Sequence, residues 1–188
     1  MGMVPRNADF ESTRDKIVKI GRVEQFLLKK DGFIPNNDKL PLLVYKNALE
    51  LPISDPASAI EKILKMNGWG SAWRNSIYNF HHYHSTAHEI LAVYSGSARV
   101  LLGGDSGITL NVHKGDVLII PAGVAHKNLG SEEHFKVVGA YPEGQNWDMN
   151  YGGEEEHHKA EDNIKQVPLP KTDPIYGEEG PLKNFWSK

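Results

Sequence analysis

Between residues 74 and 141 the chain is a series of short apolar runs, each four to seven residues long, cut apart by turn-forming residues. The runs are Glu89–Tyr94, Ala98–Leu102, Ile108–Val112, Val117–Ile120, Val124–Asn128 and Phe135–Tyr141. Gly96, Gly103-Gly104-Asp105, Lys114-Gly115-Asp116 and Pro121-Ala122-Gly123 punctuate them. None is long enough for a stable helix, and glycine and proline at such spacing reverse the chain direction repeatedly. Short strands at near-regular spacing with no helix among them predict a mainly β fold, either a sandwich or a barrel.

The flanks differ in texture. Phe26-Leu27-Leu28 and Leu42-Leu43-Val44-Tyr45 read as strands that flank or extend the sheet, with Asp31-Gly32 and Pro35-Asn36-Asn37-Asp38 as turns. One helix is predicted over 56–67. Asp55 caps it, Pro56 takes the first helical position, and Ile60, Ile63 and Leu64 form its apolar face. Gly68 closes it. After Pro142 the chain turns polar, yet it keeps Trp147, Tyr151, Ile175-Tyr176 and Phe185-Trp186, too many aromatics for a free tail. The expected organisation is one structural domain: flanking strands and helix at 1–73, a barrel core at 74–141, and an extended C-terminal arm at 142–188 that wraps the barrel or a neighbouring subunit.

Composition narrows the function. The 188 residues carry a net charge of −3 and no basic cluster, so no nucleic-acid partner is expected. There is no cysteine, which removes disulfides, thiolate metal sites and cysteine nucleophiles. No stretch approaches the roughly 20 apolar residues of a membrane span, and the polar N-terminal stretch has no apolar signal-peptide core, so a cytoplasmic location without membrane attachment is expected. Nine histidines are present, and four of them fall between 81 and 88. That density points to metal chemistry.

His82 and His84 are two apart on a strand and therefore share a face. Four residues later comes Glu89, far enough for a turn to return a carboxylate to the same place. His126 begins a later strand just past the Pro121-Ala122-Gly123 turn. Three neutral imidazoles and one carboxylate can hold a divalent metal and leave one or two positions open, as a catalytic site requires. His88 adjoins Glu89 and should face the opposite way, unless a bulge exchanges the two. Asn128 shares the face of His126 and is expected inside the barrel, orienting a ligand or bound water, unless it merely hydrogen-bonds backbone at the strand end. Tyr78 and Phe80 have the parity of His82 and would line the pocket or pack as aromatic core. Leu91, Val93, Leu118 and Ile120 are expected to point inward, and no second acid or base is visible. Glu154–His158 reads as a solvated charge run.

His82-x-His84-(x4)-Glu89-(x6)-Gly96 resembles the first motif of the cupin family, and Gly115-(x5)-Pro121-x-Gly123-(x2)-His126 resembles the second. Together they span about 45 residues with 18 between them. The chain departs from the pattern in having no glycine ahead of His82 and in placing Asn128 only two residues after His126. The whole chain is similar to a group of uncharacterised single-domain bacterial cupins. The resemblance implies a double-stranded β-helix, jelly-roll-like barrel with His82, His84, Glu89 and His126 as ligands of one iron, manganese, zinc or nickel ion.

Three functions fit these features. A metal-dependent enzyme acting on a small organic molecule ranks first, of dioxygenase type, with a metal-dependent isomerase or decarboxylase as an alternative ranked lower because no acid or base for proton transfer is visible. A metal-dependent ligand-binding or sensor protein is the second. The third is a structural barrel that forms a homodimer through 26–28, 42–45 and the aromatic arm.

Overall fold

The computed structural model describes residues 14–187, so the first thirteen residues of the polar N-terminal stretch lie outside it. Nine strands are present among the described residues: β1 (Arg22–Leu28), β2 (Asn37–Lys46), β3 (Trp69–Asn75), β4 (Glu89–Ser95), β5 (Ser97–Leu102), β6 (Ile108–His113), β7 (Val117–Ile120), β8 (His126–Ser131) and β9 (Lys136–Pro142). They form a six-stranded sheet in the order β1-β2-β7-β4-β9-β3 and a three-stranded sheet in the order β6-β5-β8. All pairings are antiparallel. An isolated bridge between His82 and His126 extends the smaller sheet beyond β8. The two sheets face each other as a jelly-roll-like barrel.

Alternation along β4 sorts its residues onto two sides. Leu91 and Val93 join Leu118, Ile120, Val100 and Leu42 in the apolar cluster between the sheets. Ile90 and Ala92 face outward, but helix α1 (Pro56–Met66) and C-terminal residues cover them. Both faces of β4 are thus buried, which explains its nearly unbroken apolar run. Each such aliphatic side chain contributes about 1.5–3 kcal/mol by leaving water.

Helix α1 begins and ends where the sequence predicts. Asp55 accepts a hydrogen bond from the Ser58 N–H at 3.2 Å, and Pro56 opens the first turn. Ile60, Ile63 and Leu64 are buried, and Gly68 has the positive φ of a C-terminal stop. Two elements carry no clear signal in the sequence. Strand β3 contains Gly70 and a bulge between Gly70 and Trp73, so its alternation is lost. Helix α2 (Glu154–Gln166) has little apolar surface. Its start is held by Glu156, whose side chain accepts N–H bonds from Tyr151 at 2.7 Å and Gly153 at 3.1 Å. The expected solvated charge run at 154–158 is therefore the first turn of a helix. His157 in it is buried, with its Nδ1 on the Phe33 carbonyl at 3.0 Å.

Two further expectations need correction. The barrel is not confined to 74–141, because β1, β2 and β3 complete the same sheet as β7, β4 and β9. Residues 42–45 cannot be a subunit contact either: β2 lies between β1 and β7, and these four side chains are at most 1% exposed. The C-terminal residues are stitched to β2. The Tyr45 hydroxyl donates to Asp173 at 2.6 Å, and the same buried carboxylate accepts main-chain N–H bonds from Ile175, Tyr176 and Leu182. The Trp186 indole donates to the Pro41 carbonyl at 2.8 Å. No helix among the described residues is long and apolar enough to cross a membrane.

Gly139 lies opposite Trp73 in the β3–β9 register, and a Cβ placed there would sit 2.2 Å from the indole ring. Trp73 is held flat on β9 by the lack of a side chain at that position. Gly139→Ala should push the indole aside and lower stability by about 1–3 kcal/mol in urea unfolding. An unchanged midpoint would show that the ring yields freely.

Candidate metal centre

Glu89 is the first residue of β4, opposite Ile120 and flanked by β7 and β9. Like Leu91 and Val93 it points between the sheets, and it is only 2% exposed. His126 is the first residue of β8. His82 pairs with it through reciprocal main-chain bonds of 3.0 and 3.3 Å. His84 is two residues on, and its carbonyl accepts the N–H of Gly123 at 2.8 Å. Gly123 has φ +95°, and a Cβ there would lie 2.3 Å from the Asn36 carbonyl oxygen. The turn ahead of His126 can therefore close against His84 only with glycine at this point.

All three imidazoles are anchored in the same way. Nδ1 of His82 meets the Phe80 carbonyl at 3.1 Å, and Nδ1 of His126 meets the Val124 carbonyl at 3.2 Å. Nδ1 of His84 meets the Asp148 carbonyl. A carbonyl only accepts, so each Nδ1 carries the proton and each Nε2 presents a lone pair. Nε2 of His126 lies 3.1 Å and Nε2 of His84 3.4 Å from Glu89 Oε2, which has no hydrogen-bond partner. Acceptors thus face acceptors in a buried place, an arrangement that a cation satisfies.

The donor atoms of His84, Glu89 and His126 all lie within 4.8 Å of one another. His82 is outside that group, with its ring tilted against that of His126 at a centroid distance of 4.1 Å. The structure therefore brings three of the four predicted residues together and sets the fourth beside them.

The charges suit a cation. Burial alone would raise the Glu89 carboxyl, but positive charge at the facing His84 and His126 Nε2 atoms outweighs it and holds it below the usual carboxylate range, and a cation bound there would supply that charge. Burial, with His126 adjoining, pushes His82 down to about 3, so it is neutral at physiological pH. His84 is raised: burial works against its charge, but Glu89 and the Asp148 carbonyl prevail.

A cavity of about 350 Å³ opens above these residues. Trp73, Tyr78, Tyr141, Trp147, Leu91 and Met149 supply much of its wall. The Trp73 indole donates to the Tyr141 hydroxyl at 2.9 Å. Asp148 ties the segment bearing Trp147 and Met149 to the turn after His84. It accepts from the Ser85 N–H at 2.6 Å, the Ser85 hydroxyl, the Thr86 N–H at 3.3 Å and Asn150 Nδ2 at 2.9 Å. Its carbonyl also orients His84, as ligand histidines commonly require.

Some expected site residues lie elsewhere. Asn128 does not line the cavity: its side chain bonds the Gly130 N–H at 2.8 Å and Ser131 Oγ at 3.1 Å, where a bulge in the β5–β8 register turns the strand. Tyr78 reaches the cavity, whereas Phe80 lies outside it, stacked on Tyr78 at 4.9 Å; both are exposed and neither is core. His88 faces away from the barrel interior, against Trp186, and accepts the Ala122 N–H at 2.9 Å. Tyr141 and Asp148 join the centre beyond the residues expected there. The parity of β9 held the signal for Tyr141, since Val137 points inward and Tyr141 is four residues on.

A jelly-roll-like barrel with a buried histidine–glutamate group at one end of its interior defines a class of protein, and the sequence comparisons name it. Residues 73–145 match the profile of the Cupin family. The uncharacterized protein YjlB of Bacillus subtilis strain 168 is 40% identical over 165 residues, 88% of this chain and 97% of that one. The chain belongs to the cupin family. Among solved structures it is similar to acireductone dioxygenase from Bacillus anthracis with a cadmium ion in its active centre, at 16% identity and TM-score 0.38 over 50% of this chain and 64% of that one. It is also similar to pumpkin seed globulin, at 20% identity and TM-score 0.37 over 70% of this chain and 31% of that one.

The burial of His88 between the barrel and Trp186 has a consequence for acid stability. Burial pushes its pKa down to about 3, against 6.5 for an ordinary histidine. Between those values the unfolded chain takes up a proton that the folded chain refuses. The stability is thus fully present above pH 6.5 and is lost as pH falls toward 3, by up to about 1.4 kcal/mol per pH unit. His88→Asn keeps an acceptor near the Ala122 N–H and removes the titration. Urea unfolding of metal-free protein at pH 7 and pH 5 should show a smaller loss in the variant than in the wild type; equal losses would place the acid sensitivity elsewhere.

Proposed function

We propose that this chain is a metal-dependent enzyme of dioxygenase type that acts on a small organic molecule inside the barrel. The supporting observation is the set of three imidazoles with carbonyl-bound Nδ1 protons, whose bare Nε2 atoms accompany a buried carboxylate at the base of a cavity. His84, Glu89 and His126 would hold one divalent ion, with His82 as the fourth ligand. Iron, manganese, zinc and nickel all accept such a mixed nitrogen and oxygen set. When bound, a redox-active ion such as iron or manganese supplies Lewis-acid and electron-transfer chemistry at the positions the protein leaves open.

The chain's own residues set the conditions for that chemistry. The carbonyls of Phe80, Val124 and Asp148 fix the imidazoles in one tautomer. Trp73, Trp147 and Met149 narrow the access of water to the base of the cavity. Tyr141 keeps its proton, because burial and the Glu89 charge both raise its pKa, so it acts as a donor and not as a base. Among the described cavity residues the carboxylate and all three imidazoles are assigned to the metal, which leaves no free base to take a proton from carbon. Isomerisation and decarboxylation need such a group. Oxygen chemistry needs less of one, which favours it.

Protein purified without chelators should carry close to one equivalent of metal by mass spectrometry, and His84→Ala with Glu89→Ala should lose it. Affinity should fall less in His82→Ala than in His84→Ala, where a drop on the order of 100-fold or more is expected. Protein reloaded with Fe(II) should consume dioxygen with some members of a panel of small phenols, enols and organic acids. Stoichiometric binding without uptake across the panel would sink the enzyme assignment and leave a ligand-binding protein.

A further inference from the structure

The walls of the cavity restrict what can bind there. We propose, on the basis of the metal centre above, that the ligand is a small planar molecule, phenolic or enolic, that binds as a monoanion through oxygen, flanked by Trp147 and hydrogen-bonded by Tyr141.

Charge comes first. A divalent ion with Glu89 leaves one uncompensated positive charge, since three imidazoles whose Nδ1 protons are committed to carbonyls bind through Nε2 as neutral ligands. The cavity's other formal charge, Arg74, is already engaged. Its Nε and Nη2 donate to the two carboxylate oxygens of Glu61 at 2.6 and 2.8 Å, and Nη2 also reaches Ser58 Oγ at 3.0 Å. A monoanion therefore completes the balance, whereas a dianion would leave a partly buried negative charge without a partner.

Shape follows from the aromatic residues. Tyr141 and Trp147 lie nearly parallel, at a centroid distance of 6.1 Å and an interplanar angle of 21°. Both rings also stand edge-on to His84, at 5.8 and 5.6 Å. Trp147 is half-exposed and Tyr141 is buried, and both line the cavity, so aromatic surface runs from its mouth toward the metal ligands. A flat, polarisable ligand gains more against such a wall than an aliphatic one of equal volume. At about 350 Å³ the cavity is at the small end of ligand sites.

Tyr141 supplies the polar contact. Its hydroxyl oxygen accepts the Trp73 indole N–H, which leaves its own proton to be donated within the cavity. Once Glu89 serves the metal, the partner for that proton is an oxygen of the incoming ligand. Tyr141 is in this sense a specificity-determining residue: it rewards a ligand with an anionic oxygen beside the metal.

The test uses zinc-loaded protein, so that no turnover intervenes, with 4-nitrocatechol as a chromophoric probe and malonate as the aliphatic dianionic competitor. Metal content is measured on every sample. The probe should bind wild type at least tenfold more tightly than malonate does. Tyr141→Phe should weaken it by roughly 10-fold through the lost hydrogen bond, and Trp147→Ala by about fivefold through the lost wall. Neither variant should lose zinc. A zinc-loaded protein in which malonate matches the probe, or in which neither substitution weakens it, overturns the proposal while the metal centre stands. A wild type that takes up no zinc, iron, manganese or nickel overturns the metal centre and this proposal with it.

Discussion

The hydrogen bonds from three imidazole Nδ1 atoms to main-chain carbonyls set the terms for everything else at the centre. A carbonyl cannot donate, so the proton of each ring is committed outward and the lone pair is left inward. Without those three bonds the rings could flip, protonate toward Glu89, or hydrogen-bond one another, and the buried carboxylate would need no cation. Two of the three bonds are local, because His82 and His126 each reach a carbonyl two residues back. The third is not: His84 depends on Asp148, 64 residues away, past the end of β9. The donor set is therefore complete only when the segment after the barrel has docked.

That docking connects the arm to the site. The Asp148 carboxylate gathers Ser85, Thr86 and Asn150, and these bonds hold it below its usual pKa although burial pushes the other way. The same short segment carries Trp147 and Met149 into the cavity wall. Farther along, the fully buried Asp173 and the Trp186 indole fasten the chain to β2. Orientation of a ligand imidazole, closure of the cavity and anchoring of the C-terminal residues thus share one stretch of chain. Beneath it, the apolar cluster between the sheets fills the rest of the barrel and leaves Glu89 among groups of low polarity, where its charge acts strongly.

Much of this was legible before any coordinates. Helix α1 announced both of its ends through Asp55, Pro56 and Gly68, because caps and breakers act over a few residues. The six runs between 89 and 141 each became a strand, with boundaries shifted by no more than about three residues. Strand β3 and helix α2 were not legible, for the same physical reason: neither carries an apolar periodicity of its own. Trp73 finds its place against Gly139 across the sheet, and α2 is held by a reaching glutamate, a buried histidine and Ala160 packed on Ile34, Tyr83 and Ala125. Leu42 to Tyr45 read as a strand with a contact surface, yet they lie inside the sheet, since a single sequence does not say which strands will lie on either side.

By itself, the sequence determined the barrel class, the helix, and a short set of candidate ligands in which His84, Glu89 and His126 do meet, because i, i+2 parity and turn chemistry are local and survive whatever the rest of the chain does. Only the tertiary structure decided that His82 stands beside the compact trio of His84, Glu89 and His126, that Asn128 turns out at a bulge, and that Tyr141, Trp147 and Asp148 close around the centre. Those outcomes rest on contacts between segments tens of residues apart, where register and packing, not local preference, fix the direction in which a side chain points.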